Sequence, residues 1–193
     1  MSNKPEEVVS GYLQQQLLIA MPSMEDPNFS RSVTLLCQHN EEGAIGITIN
    51  RQSDFTLGEL LFQLNIPCKN KNISSIIVLE GGPVSRDHGF VLHTTFEGFD
   101  SSVKINDDIM VTTSRDILSA IASDTGPRQF LVALGYAGWG YGQLEFEMRQ
   151  NAWLSVPADK AILFESEVQN RWEKAIGKLG INLDDLHEVG GYA

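Results

Sequence analysis

An unbroken apolar run, Phe130 to Leu134, passes straight into Gly135-Tyr136-Ala137-Gly138-Trp139-Gly140-Tyr141-Gly142-Gln143-Leu144-Glu145. Five apolar residues without polar alternation predict a strand covered on both faces, and therefore a central one. The glycines that follow relax the limits on φ and let backbone approach backbone or a ligand. The aromatics between them either lock the turn into a core or present a contact surface. Such a chain needs a sheet with this strand at its centre and a glycine-rich path away from the strand's end at Gly135. The segment carries no nucleophile, no general base and no metal-ligand set.

Short strands surround it. Leu17 to Ala20, Val33 to His39, Ala44 to Asn50, Ile76 to Leu79, Phe90 to His93 and Ile109 to Thr112 are apolar enough for strands. Glu41-Glu42-Gly43 between two of them marks a hairpin. Trp153 to Val156 and Ala161 to Phe164 also read as strands, on either side of Pro157. Helices are expected after Thr56, which has capping-box spacing to Glu59, and after a Ser114 cap to about Ala122. Gln143 to Gln150 reads as helix, with Glu145 and Arg149 spaced as an i,i+4 pair, and Val168 to Leu179 as an amphipathic helix. Strand pairs with helices inserted at intervals are not the regular alternation of a doubly wound fold. A mixed α+β sheet, able to curl into a small barrel, fits better. Residues 1–10 read as a flexible N-terminal arm, and residues 11–193 as a single domain.

Charge excludes some partners. Twenty-five Asp and Glu against fourteen Lys and Arg give a net charge of -11, with no basic cluster in the sequence. Such a surface repels phosphate backbones and anionic membranes. Two cysteines are too few for a disulfide framework. The polar first residues lack the pattern of a signal peptide, and no apolar run is long enough to span a membrane. A cytoplasmic protein is expected.

No motif reaches the standard of a catalytic or metal site. Gly138-x-Gly140-x-Gly142 is out of register with G-x-G-x-x-G, and no Walker lysine follows. Ser85, Asp87 and His88 share one loop beside Gly81-Gly82-Pro83, too close in sequence to converge as a triad. Arg86 could hold an anion against the Gly81-Gly82 backbone. Cys37 and His39 would share a strand face, since strand side chains repeat every two residues. They lack zinc spacing to Cys68, His88, His93 or His187, so Cys37 reads as a core thiol.

Leu18-Ile19-Ala20-Met21-Pro22-Ser23-Met24-Glu25-Asp26-Pro27-Asn28-Phe29-Ser30-Arg31-Ser32-Val33, followed by Cys37-Gln38-His39-Asn40-Glu41-Glu42-Gly43-Ala44 and Asn50-Arg51, resembles the motifs of the bacterial YqgE/AlgH family. Gly81-Gly82-Pro83-Val84, Gly89-Phe90-Val91-Leu92-His93, Gly135 to Glu145 and Asn151-Ala152-Trp153 extend the resemblance in order over nearly the whole chain. Gln52, His88 and Tyr141 depart from residues usual in the family. The resemblance implies an α+β fold with a mixed, bifurcated sheet curling into a small β-barrel with surrounding helices. It implies no established activity; one branch carries the label of a transcriptional regulator of alginate synthesis.

The expected function is a non-enzymatic regulatory or binding protein, acting on an unknown protein partner or small ligand, without cofactor or metal. An enzyme acting on a small ligand is the alternative, and direct transcriptional control ranks last. The candidate binding residues are Asp26, Asn50, Arg51, Gly81, Gly82, Arg86, Gly138, Trp139, Tyr141 and Glu145. Charge alone predicts that the purified protein does not bind duplex DNA at physiological salt. Fluorescence anisotropy with labelled duplexes checks this, and submicromolar sequence-specific binding contradicts it.

Overall fold

A computed structural model of the chain describes residues 11–189, so the arm expected over residues 1–10 lies outside the described residues. These residues form an α+β fold of ten strands and seven helices. Eight strands, β1 (Gln16–Ala20), β2 (Val33–Asn40), β3 (Gly43–Thr48), β6 (Val84–Thr94), β7 (Ser102–Lys104), β8 (Ile109–Thr112), β9 (Phe130–Trp139) and β10 (Trp153–Pro157), lie in the order β10-β1-β2-β3-β9-β6-β8-β7. Strands β4 (Gln52–Thr56) and β5 (Ile77–Glu80) branch off this path, β5 pairing with β9. The helices are α1 (Leu57–Gln63), α2 (Lys71–Ser74), α3 (Asp116–Ala122), α4 (Gln143–Arg149), α5 (Lys160–Phe164), α6 (Arg171–Gly177) and α7 (Leu183–Val189).

The sheet curls into a half-barrel. One buried cluster takes Leu17 from β1, Leu35 from β2, Ile47 from β3, Leu92 from β6, Val111 from β8 and Val156 from β10. Side chains from strands so far apart in the sheet order meet only if the sheet wraps around them. Trp172 and Ile176 of α6 fill the concavity, and Trp172 donates its indole N–H to the Ala20 carbonyl at 2.9 Å. The two ends of the sheet meet through loops: Asn106 Nδ2 donates to the Ala158 carbonyl at 3.2 Å, and Lys160 lies 3.6 Å from Asp108. A second cluster packs α1 and α3 on the outer face, through Leu57, Leu61, Ile117 and Ile121 against Val91 and Val132.

The glycines make the sheet fork. Strand β9 carries β6 along one edge; along the other, β5 pairs at Ala133 and Leu134, and β3 pairs from Ala137 to Trp139. Gly81 sits where the two branches part: its N–H donates to the Leu134 carbonyl at 2.7 Å, and its carbonyl accepts from Thr48 N–H at 2.8 Å. Gly81-Gly82-Pro83 then carries the chain from the β5 edge of β9 to the β6 edge, so it must pass over β9 itself. A Cβ on Gly81 would lie 2.2 Å from the Gly135 carbonyl oxygen, and one on Gly82 2.1 Å from the Tyr136 carbonyl carbon. Gly135, at φ +77°, would place a Cβ 2.4 Å from the Gly82 carbonyl oxygen. Backbone crosses backbone here, and no side chain fits between.

Several expectations change. The strand beginning at Phe130 does not end at Gly135. It continues to Trp139, because Gly135 absorbs the crossing as a kink. The turn is confined to Gly140-Tyr141-Gly142, which leads into α4. Ala161 to Phe164 is helical, not extended. Asp159 accepts from Ala161 N–H as N-cap, and a five-residue apolar segment is too short for its period to separate helix from strand. Ser114 does not cap α3; it donates to Asp116 Oδ1 instead. The helix expected from Val168 to Leu179 is a 3₁₀ turn, Val168–Asn170, followed by α6. The capping box at Thr56 and Glu59 forms with both of its hydrogen bonds.

The crossing separates two glycines that look alike in sequence. Gly82→Ala strains a left-handed residue and drives Cβ into backbone that cannot move aside, so it should cost well over ~1 kcal/mol. Gly138→Ala meets nothing nearer than a Tyr136 ring carbon at 3.6 Å and should stay within ~0.5 kcal/mol of wild type. Urea unfolding of the two variants checks the difference.

Candidate functional site

Beside the fork lies a cleft of about 210 Å³. Its apolar surface comes from Phe55 of β4, Leu79 of β5, Pro83 and Leu134 of β9, and its polar surface from Asn28, Thr48, Arg51, Ser53, Glu80 and Arg86. Most of these polar groups are already fixed. Arg51 donates to the carbonyls of Pro27 and Ser30 at 2.8 and 2.9 Å, clamping the loop before β2. Its Nε is buried with no acceptor among the described residues. Ser53 donates to the Val78 carbonyl at 2.6 Å, and Thr48 shares a 3.1 Å hydrogen bond with Thr34. Arg86 is exposed and makes no side-chain hydrogen bond or ion pair with any described residue.

Arg86 reaches the cleft because β6 carries extra residues. Val84 pairs with Tyr136 and Gly89 with Leu134, so β6 advances from 84 to 89 while β9 advances only from 136 to 134. Ser85, at φ +45°, turns within this bulge. Bulges re-aim side chains. Here Arg86 lines the cleft, while Asp87 lines a neighbouring depression of about 190 Å³ with Leu60, Leu64 and Arg115. Leu134 belongs to both walls, joining the two into one surface. The expected loop of Gly81 to His88 is thus a glycine crossing followed by a bulged strand.

The aromatic corner at the other end of β9 is a separate structure. Trp139 and Trp153 both donate indole N–H to Glu147 Oε2, at 3.0 and 2.8 Å. Phe29 packs edge-on against Trp153, with ring centroids 5.5 Å apart, and lies tilted over Trp139 at 6.0 Å. Gln143 completes the knot by accepting from Gly140 N–H and donating to Glu147, each at 3.0 Å. Trp139 is buried, whereas Tyr141 is 85% exposed and Phe146 56% exposed.

Cys37 and His39 do not share a face. The β2–β3 register shifts between Leu36 and Gln38, and this bulge inverts the alternation. Cys37 packs against the inner cluster, where burial pushes its thiol up to about 12. His39 turns to α4 instead. Its Nδ1 accepts from Leu13 N–H at 2.9 Å, so Nε2 carries the proton and donates to Glu145 Oε1 at 2.7 Å. Both ring nitrogens are engaged, leaving no lone pair for a substrate proton. Burial pulls the Glu145 carboxyl upward, but hydrogen bonds from its own backbone N–H and from His39, with Arg149 nearby, outweigh it and hold the carboxyl below the usual glutamate range. His93 is similarly engaged, between the Thr94 carbonyl and the Thr112 hydroxyl. Among the described residues, no three His, Cys, Asp or Glu side chains are placed to hold a metal.

The ten candidate residues therefore divide. Arg51, Gly82 and Arg86 meet in the cleft, with Gly81 at its back holding the fork. Asn50 is a staple: its Oδ1 accepts from Val33 N–H and its Nδ2 donates to the Arg31 carbonyl, both at 2.8 Å. Asp26 closes a loop turn by accepting from Asn28 N–H at 2.8 Å. Gly138, Trp139, Tyr141 and Glu145 lie at the aromatic corner. Ser53, Phe55 and Leu134 are cleft residues that sequence reasoning missed, since nothing local to them signals a shared wall.

Residues 17–184 match the family model described as AlgH-like. A UPF0301 protein of Xanthomonas oryzae pv. oryzae is 49% identical over 181 residues, covering 94% of this chain and 96% of that protein. A UPF0301 protein of Xanthomonas axonopodis pv. citri matches to the same extent. The solution structure of the AlgH protein from Pseudomonas aeruginosa superposes with a TM-score of 0.78 at 44% identity over the full length of both chains. A Corynebacterium diphtheriae protein, 21% identical, shares the fold with a TM-score of 0.72 over 96% of this chain and 93% of its own.

Two measurements probe this geometry. Trp139→Ala should cost about 3–5 kcal/mol, while Tyr141→Ala should leave stability within ~0.5 kcal/mol; thermal melts of the two variants decide it. In native protein at pH 8, iodoacetamide should leave Cys37 unmodified and label it only on unfolding, as peptide mapping by mass spectrometry would show.

Proposed function

This chain belongs to the AlgH-like family, and we propose that it is a non-enzymatic binding protein of the cytoplasm whose recognition surface is the cleft beside the sheet fork. One observation carries the reading: the cleft is concave, half apolar, and lined by two guanidinium groups, yet holds no nucleophile–base pair. Binding sites of this kind combine apolar walls with a few placed polar groups. A catalytic alternative would draw Asp26, Asn50, Arg51, His88 and Glu145 into one pocket. Of these only Arg51 lines the cleft, and Glu145 is tied to His39 at the aromatic corner. The cytoplasmic setting is supported by two cysteines present as free thiols, as a reducing compartment keeps them. Transcriptional control through direct DNA contact is disfavoured by the charge of -11.

Small organic probes test the location without assuming a ligand. Phenol and isopropanol, titrated into ¹⁵N-labelled protein, should shift amides of Gly82, Ser53, Phe55 and Leu134 first. Shifts confined to the exposed Tyr141–Phe146 face would move the recognition surface there and overturn the reading.

A further inference from the structure

We propose that the cleft beside the fork binds a monocarboxylate carrying an apolar tail. This rests on the reading that the cleft is a binding site, and it assigns the ligand's chemistry. Two arginines and one glutamate line the cleft, a net charge of +1 on a chain whose total is -11. Glu80 is within ion-pair distance of neither arginine, so it lowers the charge of the cleft while leaving both guanidinium groups unblocked by an ion pair. Arg51 is held in place by two backbone carbonyls before any ligand arrives, while the side-chain donors of Arg86, which is exposed, meet no partner among the described residues. A guanidinium fork matches a carboxylate. A single negative charge balances the cleft, whereas a phosphate monoester, at about -1.5 to -2, overshoots it.

The apolar side of the cleft sets the rest of the ligand. Phe55, Leu79 and Leu134 offer no polar side-chain atom, and Leu134 continues into the neighbouring depression. An exposed ion pair alone contributes little, so affinity must come from the tail. Each methylene buried strengthens binding by about fourfold. The volume of about 210 Å³ is roughly seven times the ~30 Å³ share of one water, enough for a short chain or a single ring. A free small acid and the C-terminal carboxylate of a chain ending in an apolar residue present this same chemistry.

Titration of the full-length protein with sodium hexanoate, hexanol and hexylamine, followed by amide shifts, tests the assignment. Hexanoate should bind in the cleft at least tenfold more tightly than either analogue, and acetate should bind far more weakly than hexanoate. Arg86→Gln, which removes a side chain with no partner among the described residues, should weaken hexanoate binding about tenfold without lowering the melting temperature. Acetyl-Ala-Leu and its C-terminal amide separate the two sources. A free-acid dipeptide that outbinds hexanoate names a protein C-terminus, and one that binds more weakly names a small acid; both outcomes support the proposal. Hexanol or hexylamine binding the cleft as tightly as hexanoate overturns the carboxylate assignment and leaves the binding-site reading standing. No cleft shift with any of the three overturns both.

Discussion

The passage of Gly81-Gly82-Pro83 across β9 at Gly135 is the contact on which the rest of the architecture turns. Three glycines from two distant segments let one backbone lie directly on another. The crossing puts β5 and β6 on opposite edges of a strand they both pair with. It also sends the sheet into two branches, one continuing through β3 to the half-barrel and the other through β5 to β4. Gly81, at the end of β5, bonds to the stem through Leu134 and to the β3 branch through Thr48. A Cβ at any of the three glycines would force the strands apart, because what it meets is backbone rather than a side chain able to rotate away.

The cleft is a by-product of that fork. Where a sheet divides, strands that would otherwise pair are held apart, and the gap is floored by side chains of the diverging strands. Phe55 comes from one branch, Thr48 from the other, and Leu134 from the stem. The bulge in β6 follows from the same crossing, since the chain arrives at β9 with three residues more than the register can pair. Those residues present Arg86. Arg51 is fixed differently, by the loop it clamps, so the two cationic groups are positioned by unrelated parts of the chain. The aromatic corner has a different purpose. There Glu147 ties two indoles that join β9, α4 and β10, which makes Trp139 a structural anchor despite its place in a glycine-rich motif.

What could be read from the sequence was what local physics decides. The apolar run at Phe130 gave a central strand, Thr56 and Glu59 gave a helix start, and the turn before Ala44 gave a hairpin. Strand β4 was hidden because Gln52, Ser53 and Asp54 are polar, and its pairing with β5 depends on the fork rather than on a buried face of its own. Ala161 to Phe164 was misread because its helix owes its start to Asp159, outside the apolar run. The bulge at Cys37 was invisible, since a single extra residue inverts the alternation without changing composition. The motif glycines at 81, 82 and 135 were conspicuous, but their reason lies in one segment crossing another about fifty residues away along the chain. The cleft was legible only in part: Arg51, Gly82 and Arg86 stood out individually, and nothing in the sequence joined them to Ser53, Phe55 and Leu134.

The fork is a rigid frame and not a flexible joint, because what meets at it is backbone on backbone. Native-state hydrogen exchange tests this most directly, at the amides of Gly81 and Thr48 that bond across the junction. If the frame is rigid, both amides exchange only through global unfolding, with the same denaturant dependence as the amides of β1 and β2 in the inner core. Exchange of Gly81 and Thr48 through local openings that are insensitive to denaturant, while β1 and β2 stay protected, would make the fork a flexible joint.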